Sequence, residues 1–177
     1  MIGEVRRRTW HVVGGVAAVA GGLAWVIKAS LILAGQPQPK LLFEMAPFFL
    51  AVTTTCLGMT ADVLTPRRRA FALALGGLGA IAGLLAAITE FVDTASGPAL
   101  AVSTIAVVIA LILQDRCGAS TQRLAWWIGV ATLPLNLLGG LLATVDEKLL
   151  ELPLAILALS WIRLGVLSLR RATMQPR

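Results

Sequence analysis

Apolar residues fall into six long runs, separated by short clusters of charge, proline and glycine. The runs cover roughly residues 10–34, 41–64, 70–92, 98–113, 124–145 and 149–169. Most approach or exceed the ~20 residues a helix needs to cross a bilayer, and the fourth is the shortest. The connections between them are brief. GQPQPK follows the first run, and Thr65-Pro66 leads into Arg67, Arg68 and Arg69 before the third. The pattern predicts an all-α fold: a polytopic transmembrane bundle of six spans in three hairpins, forming a single integral membrane domain over residues 1–177.

Composition agrees with this. Apolar residues make up 58% of the chain and charged residues 14%, where a soluble domain has about 45–50% and about 25%. The first run follows three arginines, as the apolar core of a signal peptide would. It is about 25 residues long, contains Lys28 and is followed by no A-x-A site, so it reads as a retained span.

Charge placement predicts the orientation. The arginines lie in the N-terminal leader, the second and fourth connections, the last turns of span six and the tail, and the first, third and fifth connections contain none. Under the positive-inside rule both termini are cytoplasmic. The setting expected is a bacterial inner (plasma) membrane, with the lipid bilayer as the first partner. Trp10, Trp126 and Trp127 fall at the expected inner interface, where amphipathic rings are favoured. His11 is the only histidine, and Cys56 and Cys117 share no metal spacing. Haem and metal sites usually use histidine pairs or cysteine clusters. No cofactor, metal or nucleic-acid partner is expected.

The lysines and most acids gather at the outer ends of the spans: Lys28, Lys40, Lys148, Glu44, Glu90, Asp93, Asp146, Glu147 and Glu151. Lys28 lies ~9 Å inside the first span. A lysine at the bilayer centre costs ~3 kcal/mol, less near an edge, and usually faces a partner or a wet cavity. It is either a snorkelling, ion-paired structural residue or part of a ligand or ion site. Asp146 is the first candidate for its partner, then Glu90 or Glu44. Glu44 can also pair with Lys40, four residues away. Glu90 and Asp93 share a face if the helix reaches that far, and the rest of the Asp146–Glu151 cluster reads as a solvated loop. Candidate ligand or ion residues are therefore Lys28, Glu44, Glu90, Asp93 and Asp146.

Pro134 and Asn136 lie midway along span five. The proline removes a helix hydrogen bond and favours a bend, and the amide needs a partner at that depth. They form a kink glued to a neighbour, or a hinge and cavity lining. Thr53, Thr54 and Thr55 can bond back to their own helix. Arg163 can snorkel or pair with Asp62.

Three stretches resemble one another: AGGLAWVIKA, AGLLAAITEF and GGLLATVDEK. They align Gly22, Gly83 and Gly140, and six residues later Lys28, Thr89 and Asp146. Three hairpins of common descent would give this pattern, and so would small-residue packing. Glycines in spans one and three, including Gly79-x-x-x-Gly83, form small-residue faces suited to packing within the chain or to a membrane protein partner.

Three function classes remain open. One is binding or transport of a small solute or cation at the charged outer site. In topology and length the chain resembles the substrate-capture subunits of energy-coupling-factor vitamin transporters, and Ala18-x-x-x-Gly22 is similar to the small-residue face those subunits use against their transport partner. The resemblance assigns no binding residues. The second class is a structural or regulatory membrane subunit acting through helix contacts. The third is an intramembrane enzyme on a lipid or isoprenoid, with Glu44, Glu90 or Asp93 as proton donor. No tyrosine, few aromatics and no nucleophile motif speak against it, and no catalytic residue is assigned. A reporter fused after Arg177 is expected to be active only as a cytoplasmic reporter, and an external signal would overturn the charge argument.

Overall fold

The computed structural model describes residues 2–37, 40–61, 64–92 and 97–174, with side chains described outside 2–4 and 40–44. Asp62, Asp93 and the side chains of Lys40 and Glu44 therefore lie outside the described residues. There are six α-helices: α1 (Ile2–Leu33), α2 (Lys40–Thr60), α3 (Pro66–Phe91), α4 (Gly97–Ile112), α5 (Ser120–Ala143) and α6 (Glu151–Met174). A 3-10 turn, Glu147–Leu150, leads into α6. No strand occurs among the described residues. Four helical segments, Val5–Leu33, Pro66–Phe91, Ser120–Ala143 and Glu147–Met174, are long and apolar enough to cross a membrane. The apolar helices Met45–Thr60 and Gly97–Ile112 are shorter. At 16 residues α4 spans ~24 Å, less than the ~30 Å of a hydrocarbon core.

The helix ends follow local chemistry. α1 continues through Arg6–Arg8, since arginine is a good helix former, so the basic leader is helical rather than a separate element. It closes in a Schellman motif: Gln36 N–H donates to Leu31 O and Gly35 N–H to Ile32 O, with Gly35 at φ +73°. α3 starts four residues before its apolar run. Thr65 caps it through the Arg68 N–H, and Pro66 takes the first helical position, where no donor is needed. The arginine triplet is thus a first helical turn, and Arg69 Nη2 donates to Met59 O at the end of α2 (2.6 Å).

Each helix packs on its neighbours in the chain, and α1 packs on α6 more extensively than any other pair. The six therefore form a closed ring, drawn inward where α2 also touches α4. Close approach rests on small residues. On α1, Gly14 and Gly21 face Cys56 and Leu50 of α2, while Gly15 and Gly22 face Leu169 and Ile162 of α6. On α3, Gly76 and Gly83 lie against Thr55 and the Phe48 backbone of α2, and Gly79 against Ala51 and Val107. Ala18 is wholly buried. These strips, Ala18-x-x-x-Gly22 included, are occupied inside the chain. Gly140, aligned with Gly22 and Gly83 in the sequence, meets open space.

Thr53, Thr54 and Thr55 donate to carbonyls one turn back, and Thr53 also reaches Gly14 O on α1. Leu50, Leu111, Ile128, Trp161 and Leu164 fill the core, while Ile81, Leu85, Leu133, Leu137 and Leu141 point outward.

The α1–α6 seam generates a contrast. A Cβ on Gly165 would sit 2.6 Å from Gly15 O and 3.0 Å from Val19 N, backbone atoms that cannot swing aside. Gly165→Ala is expected to lower stability by ~1–3 kcal/mol in a mixed-micelle unfolding titration. Gly77, with nothing within 4 Å of its Cβ position, should gain ~0.5–1 kcal/mol on substitution by alanine.

Candidate functional site

The C-terminal half of α1, the N-terminal halves of α2 and α6, the C-terminal part of α5 and most of α4 line a partly open cavity of about 250 Å³. It lies on the side of the ring where the first and fifth connections meet. Leu50, Leu100, Val107, Leu111, Leu157 and Trp161 make most of its wall. The polar side chains on it are Trp25, Lys28, Ser103, Thr104, Thr132 and Asn136. α3 contributes none of the lining. A second, more open cleft lies outside it, walled by Ile32, Gly35, Gln36, Ala143, Glu147, Lys148 and Leu150. Leu150 lines both spaces.

Lys28 pairs with Glu151: Nζ lies 3.2 Å from Oε1, and the side chains are only 8% and 5% exposed. Glu151 opens α6, where the unpaired N–H groups of the first turn favour a carboxylate. Pro153, the third residue of that helix, carries no N–H to satisfy. The other carboxylate oxygen, Oε2, is buried with no hydrogen-bond partner. So is the indole Nε1 of Trp25, one turn before Lys28 on α1. Each unmet buried group costs about 1–3 kcal/mol.

The hydroxyls on the wall are committed as donors. Ser103 Oγ donates to Gly79 O (2.8 Å), joining α4 to α3, Thr104 Oγ1 to Leu100 O (2.9 Å) and Thr132 Oγ1 to Ile128 O (2.7 Å). Asn136 Nδ2 donates to Thr132 O (2.7 Å). That contact stays within the helix, and α5 runs through Pro134 as one helix. Asn136 is thus a lining amide, while Pro134 is absent from the wall.

A carboxylate from the third hairpin does pair with Lys28, and among the described residues it is Glu151 rather than Asp146. Asp146 is exposed and its carboxylate accepts from Lys148 N–H (2.9 Å), capping the 3-10 turn. Those four tightly wound residues carry the chain inward and put Glu151, not Asp146, level with Lys28. Glu90 is half-buried in the last turn of α3, which adds nothing to the cavity wall. Glu44 belongs to α2, with its side chain outside the described residues, as is all of Asp93. Arg163 is exposed. Trp25, Ser103 and Thr132 were not marked by the sequence pattern, and Glu151 was read as part of a solvated loop. The signals for two of them were local: Trp25 shares a helix face with Lys28, and Glu151 precedes a helix-opening Pro153.

At the opposite side of the bundle His11 Nδ1 lies 3.4 Å from Ser168 Oγ, and Arg171 donates to Ser120 Oγ. Among the described residues no three His, Cys, Asp or Glu side chains cluster closely enough to hold a metal ion. Comparison of the chain with protein-family models, characterised proteins and solved structures finds no match.

The ion pair generates a quantitative expectation. Lys28→Met alone leaves the buried Glu151 carboxylate without its cation and should cost ~3–5 kcal/mol, and Glu151→Gln alone should also destabilise. The double variant should lose clearly less than the sum, as a double-mutant cycle on unfolding in detergent would show. Strict additivity would mean that the pair contributes nothing to the folded state.

Proposed function

We propose that this is a six-span membrane protein, both termini cytoplasmic, that binds a small solute in the cavity beside Lys28 and Glu151. The observation that carries this reading is the coincidence of three features in one place. An apolar cavity of about 250 Å³ lies between the helices, the buried Lys28 on its wall is paired with Glu151, and the buried Trp25 Nε1 of the same wall lacks a partner. Stability alone rarely requires such an arrangement. A void forfeits packing, and a buried pair is often no better than apolar residues of the same volume. Ligand sites combine apolar walls with a few placed polar groups in this way.

The arginine distribution supports an outward position for the open cleft and Leu150, and loading from that face fits the reading. Transport would follow if the solute can also leave on the other side. The glycine strips that would serve a partner subunit are filled by the chain's own helices, which favours the cavity over a role confined to helix contacts.

The test is chemical extraction. Protein purified into lipid nanodiscs should release a small molecule in near-stoichiometric amount, detected by mass spectrometry. Val107→Phe, which fills the cavity, should release at least about tenfold less, the loss that ~1.4 kcal/mol of binding energy would give. Indistinguishable extracts from the two proteins would overturn the reading.

A further inference from the structure

The chemistry of the cavity wall narrows the ligand class. We infer that the cavity takes an uncharged, mainly apolar molecule, about the size of one aromatic ring with a short side chain, carrying a single hydroxyl or amide group. This rests on the reading of the cavity as a binding site and adds what it selects.

Size comes first. A cavity of about 150 Å³ lined by aliphatic and aromatic groups accepts benzene. About 250 Å³ therefore accepts a ring with a short tail, on the order of ten heavy atoms by the same scale. The wall is chiefly aliphatic, with Trp25 and Trp161 adding flat faces that suit a ring.

Charge comes second. Lys28 is engaged with Glu151 at 3.2 Å, so an anion would have to displace a carboxylate already in place. A cation approaching Glu151 Oε2 would meet the Lys28 ammonium held against the same carboxylate. Either ion would also have to shed its hydration to enter an apolar space.

The unmet hydrogen bonds come third. Trp25, on the wall, carries an Nε1–H donor without an acceptor. The serine and threonine hydroxyls of the wall have spent their protons on backbone carbonyls, so they offer acceptors. Behind Lys28, Glu151 Oε2 is a further buried acceptor without a donor. A group that both accepts and donates, a hydroxyl or an amide, answers this set, whereas a carboxylate or an ammonium answers only one side of it.

The experiment uses the full chain in lipid nanodiscs and four tritiated probes of nearly one shape: phenethyl alcohol, phenylacetate, phenethylamine and ethylbenzene. Empty nanodiscs correct for partitioning into lipid. Phenethyl alcohol is expected to bind saturably, at least about tenfold more tightly than the other three. Trp25→Phe should bring its affinity down toward that of ethylbenzene while leaving ethylbenzene unchanged. Val107→Phe should abolish saturable binding of the alcohol. Tightest binding of phenylacetate or phenethylamine would overturn the inference and leave the cavity as a binding site for ions. Equal binding of ethylbenzene and the alcohol would also overturn it, leaving a purely apolar site. Saturable binding of none of the probes would overturn the assigned ligand class, and the extraction experiment would then decide independently whether the cavity binds any solute.

Discussion

The ion pair between Lys28 and Glu151 ties the first helix to the last, and the geometry of the bundle follows from satisfying it. A lysine within an apolar helix needs a carboxylate at its own depth. The chain meets this need by starting α6 with an acid and winding the preceding four residues into a 3-10 turn. The turn draws the fifth connection down against the end of α1, where Lys148 Nζ would lie 3.7 Å from a Cβ on Gly35. The left-handed Gly35 lets α1 stop there without crowding the lysine.

Close helix approach and a central void would ordinarily exclude each other. Here they are distributed. Glycines pull α1 against both α2 and α6, and α3 against α2, so that backbones nearly touch. α5 is held less tightly, turning Leu133, Leu137 and Leu141 outward, and the cavity opens on its inner side. Ser103 shows how the two regimes meet: its hydroxyl ties α4 to Gly79 on α3, while the rest of its helix lines the space.

The six helices were legible because each is a long apolar run bounded by charge, proline or glycine, and their limits differ from the sequence reading mainly at polar ends. The leader, the arginine triplet and the basic tail join helices because arginine propagates a helix readily and Pro66 suits its first turn. The cavity was only partly legible. Lys28 and Asn136 stand out because they are polar within apolar runs. Glu151 does not, since it sits among other acids, and its inward position depends on the 3-10 turn, a tertiary outcome. Ser103 and Thr132 are ordinary in a membrane helix, where their hydroxyls return to backbone carbonyls. Asp146 and Lys28 fall at matching places in the aligned stretches, yet one is exposed and the other buried. The alignment follows distance along a helix and carries no information about which neighbour closes the ring.

That closure has a consequence for synthesis. The ribosome delivers α1 first and α6 last, and the seam between them is the most extensive in the bundle. Throughout elongation Lys28 is in or near the membrane while Glu151 has yet to be made, and Gly15 and Gly22 wait for the surface of α6. The seam between α1 and α6 therefore cannot form until α6 has been made. A chain cut short before Glu151 would present an open bundle with a lysine deprived of that carboxylate, a state that membrane quality control is well placed to recognise.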